Sequence, residues 1–139
     1  MILLDTPVIA EIMRPAPTAA VVEWLGARAP SELATTAISV ARIRYALARL
    51  GLGRRRADLE TRFDNFISRG FSGRVFEFDA PAAAVYGDLV VTRERVGRPL
   101  AGFDGLIAAI ARSRALAIAT RDPHDFENCG IEVVSVWET

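Results

Sequence analysis

Met1-Ile2-Leu3-Leu4-Asp5 is a short apolar run that ends on an acid. Late in the chain the pattern returns, with Leu116-Ala117-Ile118-Ala119-Thr120-Arg121 leading into Asp122. Between them, Phe103-Asp104-Gly105-Leu106-Ile107-Ala108-Ala109-Ile110 reads as an apolar helix opened by Asp104. Runs this short suit buried strands of a parallel sheet. Such sheets present their functional groups at the carboxyl ends of strands. Three carboxylates brought there by separate segments are what a hard divalent cation requires.

Working outward, Pro7 can occupy the first turn of a helix over about 7–13, which stops at Arg14-Pro15-Ala16-Pro17. Val21, Val22 and Leu25 give a second helix its periodicity, and Leu33 to Thr36 reads as a strand. Ser39 has the character of an N-cap for a helix from Val40 to about Leu50, broken by Gly51 and Gly53. Residues 54–69 form a helix with Leu59, Phe63, Phe66 and Ile67 on its buried side.

Val75-Phe76-Glu77-Phe78 reads as a strand, and Asp79 caps a helix to about Val96, with Val85, Leu89 and Val96 among its apolar positions. Gly97-Arg98-Pro99 ends it. A helix over 102–114, a strand over 116–120, an acidic loop at 122–128 and a strand over 131–136 complete the chain. Alternating strands and helices predict an α/β fold with a parallel sheet covered on both faces.

Length and composition bound the function. One domain over 1–139, half of it hydrophobic, is long enough for a core and is not disordered. No apolar run is long enough for a membrane span, and the first apolar stretch is too short for a signal peptide. Cys129 stands alone, which excludes an internal disulfide and points to the cytoplasm.

Net charge is zero, yet residues 1–70 carry 10 basic and 7 acidic side chains, and residues 71–139 carry 7 and 10. All 17 basic residues are arginine. A GC-rich genome produces that pattern by codon usage alone, and arginine also suits bidentate binding of phosphate.

With one histidine and one cysteine, Asp5, Asp104 and Asp122 favour magnesium or manganese over zinc. Such ions activate water and stabilise charge on a phosphodiester. The bland alternative makes Asp5 and Asp122 loop acids and Asp104 a first-turn residue matched to the helix dipole.

Ile2-Leu3-Leu4-Asp5-Thr6, Ala37-Ile38-Ser39-Val40-Ala41, Phe103-Asp104-Gly105-Leu106-Ile107-Ala108-Ala109 and Ala119-Thr120-Arg121-Asp122 with Asp125-Phe126 resemble the PIN-domain toxins of the VapC type, in the FitB-like branch. Gly73-Arg74-Val75, Phe78-Asp79 and Trp137 extend the likeness over essentially the whole chain. The resemblance implies a PIN-like three-layer α/β/α sandwich with a mostly parallel sheet. It also implies a magnesium-dependent endoribonuclease, a homodimer, and a VapB-like or FitA-like antitoxin that blocks the site and contacts operator DNA. DNA is then met only through the antitoxin.

Two positions depart from the family pattern. Asp5-Thr6-Pro7 stands where Asp-Thr-Asn is usual, and Arg42 stands where the family carries a fourth acid, a glutamate. Glu32 and Asp58, the nearest acids in sequence, do not obviously substitute. Arg42 therefore either points away from a weakened three-acid site, or pairs with Asp104 or Asp5 in a nuclease-dead domain, or marks an altered position that silences a toxic protein. The second case leaves a binding module that acts through its antitoxin and operator occupancy. A phosphatase-like magnesium enzyme would need an aspartyl nucleophile motif, which the chain lacks.

Other candidates border this set. Thr6 and Asp125 adjoin the acids, and Asp125 could ligate a metal through water or cap a turn. Glu11, six residues past Asp5, is at best a peripheral candidate. Arg44, Arg49, Arg54, Arg55 and Arg56 lie with Arg42 in a stretch free of acids, suited to an RNA backbone, an acidic partner or plain solvation. His124 could move a proton, although a loop histidine more often faces solvent. Trp24 and Trp137 fit core or dimer packing better than base stacking.

Overall fold

The computed structural model describes residues 1–137. Five strands form one all-parallel sheet: β1 (Ile2–Leu4), β2 (Leu33–Thr36), β3 (Val75–Phe76), β4 (Ala117–Thr120) and β5 (Val133–Ser135), in spatial order β3-β2-β1-β4-β5. Six helices connect them: α1 (Thr6–Ile12), α2 (Ala19–Gly26), α3 (Ala37–Ala48), α4 (Arg54–Gly70), α5 (Ala80–Arg95) and α6 (Gly102–Ser113). A 3-10 turn over Pro123–Phe126 precedes β5.

Alternation along the strands divides the core in two. Leu3 and Ile118 face a layer built from Leu89 of α5 and Ile107 and Ile110 of α6. Their neighbours Leu4 and Ala119 face the opposite layer, built from Val8, Ile9, Val21, Ile43, Leu47 and Phe63 of α1 to α4. Both faces are covered, which is why β1 and β4 read as continuous apolar runs with no polar alternation. The result is the expected α/β/α sandwich. Gly105 permits close approach of α5 and α6: a Cβ there would lie 3.2 Å from Cε2 of Tyr86.

Several boundaries move. Thr36, rather than Ser39, caps α3: its side chain accepts from the Ser39 amide at 3.0 Å, so the helix starts at Ala37. The cap was misplaced because both residues are good caps and only the strand end decides between them. The third strand covers only Val75–Phe76, because Asp79 turns the chain into α5 by accepting from the Ala82 amide at 3.1 Å. Val96 lies past the end of α5 and is exposed.

The strand order fixes the site. From β1 the chain moves to β2 on one side; from β4 it moves to β5 on the other. The connections leaving the carboxyl ends of β1 and β4 therefore run to opposite sides and leave a crevice between them, the usual binding place in open α/β sheets.

Candidate acidic site at the sheet switch point

Asp5 leaves β1 at this crevice and caps α1. Its amide donates to the Ala119 carbonyl at 2.9 Å, extending the β1–β4 pairing by one residue. One carboxylate oxygen accepts from the Thr6 amide at 2.8 Å; the other accepts from the Thr120 hydroxyl at 2.9 Å. The side chain is buried, and that burial raises its pKa above the usual carboxylate range despite the two hydrogen bonds and Arg42.

Buried hydroxyls line the floor. Thr6 Oγ1 donates to Ser39 Oγ at 3.0 Å, and Thr35 Oγ1 donates to the Leu4 carbonyl at 3.1 Å. Among the described residues no buried side-chain nitrogen or oxygen lacks a partner. Thr120 and Ser39 were not legible as site residues, since a threonine ending a strand and a serine starting a helix both have ordinary structural uses.

Asp104 enters from the first turn of α6 with its side chain 18% exposed. Its pKa is pushed up to about 6, first by burial and then by the charges of Asp5 and Asp125, with Arg42 and Arg93 opposing. Asp125 is itself raised, by partial burial and by Asp122. Negative charge from Asp5 and Asp125 thus acts on Asp104. Asp122 and Asp125 are both exposed, and Asp122 caps the 3-10 turn by accepting from the His124 amide at 3.1 Å.

Arg42 folds inward. Its Nη1 lies 3.8 Å from Asp104 Oδ1 and donates to Thr6 Oγ1 at 3.4 Å, and its guanidinium carbon sits 5.4 Å from the centre of the Phe103 ring. The side chain remains 35% exposed at the mouth of the crevice. The side chain is thus turned toward Asp104 rather than away from the acids.

Three outlying candidates resolve differently. Glu11 is turned away from the crevice: it accepts from the Thr18 amide at 3.0 Å and hydroxyl at 2.5 Å, and pairs with Arg14 at 3.2 Å. Those contacts, Thr18 first, hold its pKa down to about 2, and the residue pins the turn between α1 and α2. His124 is exposed, with Nδ1 2.8 Å from Glu127. In the basic stretch, Arg44 pairs with Asp64 and Arg56 pairs with Glu60 at 2.6 Å. Acids from α4 thus enter a stretch that carries none itself, while among the described residues no carboxylate pairs with Arg49, Arg54 or Arg55. Trp24 and Trp137 pack against the α1–α4 side of the core.

The donor chemistry fits an oxygen-liganded dication. The acids supply only oxygen, the donor a hard dication takes, and burial first, with neighbouring acids second, raises the pKa values of Asp5, Asp104 and Asp125. Among the described residues, however, no three His, Cys, Asp or Glu side chains converge on one ligand point.

A parallel sheet with this strand order and an acid at each diverging strand end defines a class of domain, and the sequence matches are consistent with it. Residues 2–131 match the PIN domain, so the chain belongs to the PIN-domain family. It is 36% identical over 138 residues to a protein named VapC ribonuclease Y4jK from Sinorhizobium fredii, covering 99% of each chain. It is 38% identical over 137 residues to toxin FitB from Neisseria gonorrhoeae, again covering 99% of each. The crystal structure of FitAcB from Neisseria gonorrhoeae superposes with a TM-score of 0.93 at 37% identity, over 100% of each chain. Among the described residues, no helix is long and apolar enough to cross a membrane.

Proposed function

We propose that the chain is the toxin of a toxin–antitoxin pair and acts as an endoribonuclease that hydrolyses RNA phosphodiester bonds. The observation that carries this reading is the pair of acids at the switch point between β1 and β4: Asp5, its carboxylate fixed by the Thr6 amide and the Thr120 hydroxyl, and Asp104 of α6, joined to the Asp5 end by Arg42, which reaches both Thr6 and Asp104. The full-length likeness to a VapC ribonuclease and a FitB toxin supports it. Residues 1–139 then form one PIN domain, working in the cytoplasm as a homodimer with a VapB-like or FitA-like antitoxin. Contact with DNA passes through that antitoxin.

In this reading Asp5, Asp104 and Asp122 hold Mg2+ or Mn2+, with Asp125 added by its charge coupling to the first two. When bound, such an ion supplies Lewis acidity and positive charge at the phosphate. Thr120 and the Thr6 amide fix both oxygens of Asp5, so its carboxylate is oriented before substrate arrives. Arg49, Arg54 and Arg55 offer charge to an RNA backbone from the far end of the molecule, since Arg49 ends α3 and Arg54 and Arg55 lie by Pro15, past the end of α1 remote from Asp5, whereas Arg44 and Arg56 already have acidic partners.

One observation favours a second reading. Arg42 meets Asp104 within the acid pocket and places a permanent cation where the family carries a glutamate. The chain is then a silenced nuclease whose remaining work is to bind its antitoxin and occupy the operator with it.

The deciding experiment is cleavage of a mixed RNA substrate by the antitoxin-free protein with Mg2+ or Mn2+, against EDTA and Asp104→Asn. Metal-dependent cleavage lost in both controls establishes the nuclease. No cleavage by the wild type, with activity appearing in Arg42→Glu, establishes the silenced domain. Inactivity of both proteins overturns the nuclease reading.

A further inference from the structure

Arg93 is 5% exposed, an unusual burial for an arginine, and it lies in the last turn of α5. Its Nε donates to the Arg98 carbonyl at 2.6 Å. Its Nη1 faces three further carbonyls, those of His124 at 3.3 Å, Asp125 at 3.2 Å and Glu127 at 2.6 Å. All three belong to the segment that carries Asp122 and Asp125. A second tie runs parallel on the surface, where Arg98 pairs with Glu127 at 2.5 Å and Glu127 meets His124.

We propose that Arg93 is a positioning residue for the acidic site: by gathering the carbonyls of residues 124, 125 and 127 onto one guanidinium, it sets the turn that carries Asp122 and Asp125. The inference rests on the nuclease reading for its functional consequence. A short 3-10 turn with exposed side chains has little packing to hold it, and Phe126 is its only side chain buried in the core. A planar, always-charged fork is suited to several carbonyls at once, in a way a lysine ammonium is not. The same guanidinium also puts positive charge near Asp104 and Asp125, so its loss removes both a tether and a counter-charge. Residues that orient ligands in this manner typically change metal affinity by about 10–100-fold when replaced.

The test uses full-length Arg93→Lys and Arg93→Met, each also combined with Asp125→Asn. Hydrogen–deuterium exchange of the metal-free proteins compares peptides from 121–129 with core peptides from 105–119. Mn2+ titration gives affinity, and cleavage kinetics separate kcat from KM. The expected result for Arg93→Lys is faster exchange confined to 121–129, Mn2+ affinity weaker by about 10-fold or more, and a lower kcat with KM for RNA unchanged. Asp125→Asn should cost the wild type affinity and cost Arg93→Lys almost nothing further, since both act through one group. Additive losses, or Mn2+ affinity and loop exchange equal to wild type in Arg93→Lys, overturn the proposal. If Arg93→Met does not fold, the lysine variant decides alone. A wild type that binds no Mn2+ and cleaves no RNA instead overturns the nuclease reading, and the exchange data still decide whether Arg93 holds the turn.

Discussion

Replacing Arg42 with alanine should tighten divalent-metal binding, and the size of the effect follows from one distance. Arg42 Nη1 lies 3.8 Å from Asp104 Oδ1. Two unit charges at that separation interact by about 1 kcal/mol in bulk water and about 4 kcal/mol at an effective dielectric of 20. With 35% of the Arg42 side chain exposed, the lower end applies. In metal-free protein, Asp104 already titrates at about 6 with Arg42 opposing the rise. Losing about 1 kcal/mol of support lifts it by somewhat under one further unit. For a dication the sign reverses. A dication held by Asp104 at about 2.1 Å would lie no more than about 6 Å from Arg42 Nη1, so removing the guanidinium would relieve about 1.4 kcal/mol of repulsion in water, or roughly 10-fold in affinity. The assay is Mn2+ titration followed by electron paramagnetic resonance at pH 8, where Asp104 is ionised, with a carbon-13 titration of the Asp104 carboxyl in EDTA. An affinity equal to or weaker than wild type, or an Asp104 pKa that falls in the variant, would refute the reasoning.

Three other outcomes are expected. In EDTA the fold should grow more stable as pH drops from 7 towards 5. Asp104 is raised in the folded state, so its contribution is fully present below the unfolded value of 3.8 and is lost as pH climbs through about 6. The span corresponds to at most about 3 kcal/mol. Glu11, held down to about 2, works in the opposite sense: its contribution is present above 4.5 and disappears only in stronger acid. Melting temperature against pH tests this, and a steady decline from pH 7 to pH 5 contradicts it. Asp125→Asn should lower the Asp104 pKa while Asp122→Asn leaves it nearly unmoved, because only Asp125 couples to Asp104 directly; the same carboxyl titration reads both. Phe63→Ala should cost about 3–5 kcal/mol in urea unfolding, since the ring is fully buried between α4 and its neighbours, and a loss below about 1 kcal/mol would show that the layer repacks.

Much of this architecture is written plainly in the chain. Leu3 and Leu4 feed opposite layers, so β1 had to be apolar throughout and had to stop at the first residue facing the crevice, Asp5. The same logic exposes Asp104, which would otherwise interrupt an apolar helix face. Less visible are groups whose purpose depends on tertiary neighbours. Thr120 and Ser39 carry no pattern of their own. Asp122 and Asp125 differ only through a turn of four residues. Arg93 is hardest of all, because an arginine near a helix C-terminus already has a sufficient local reason in the helix dipole. Arg42 was conspicuous as a substitution, yet its direction needed the side chain itself.

The strand order also governs when the crevice can exist during synthesis. Asp5 emerges from the ribosome among the first residues, but its anchor Thr120 follows 115 positions later, and β1 lacks its β4 partner until then. Contacts so distant in sequence form late. Every nascent chain that stops short of β4 carries Asp5 beside β2 alone, without the Thr120 hydroxyl. A message broken before the codons for β4 yields a chain that lacks one wall of the crevice and the anchor of Asp5.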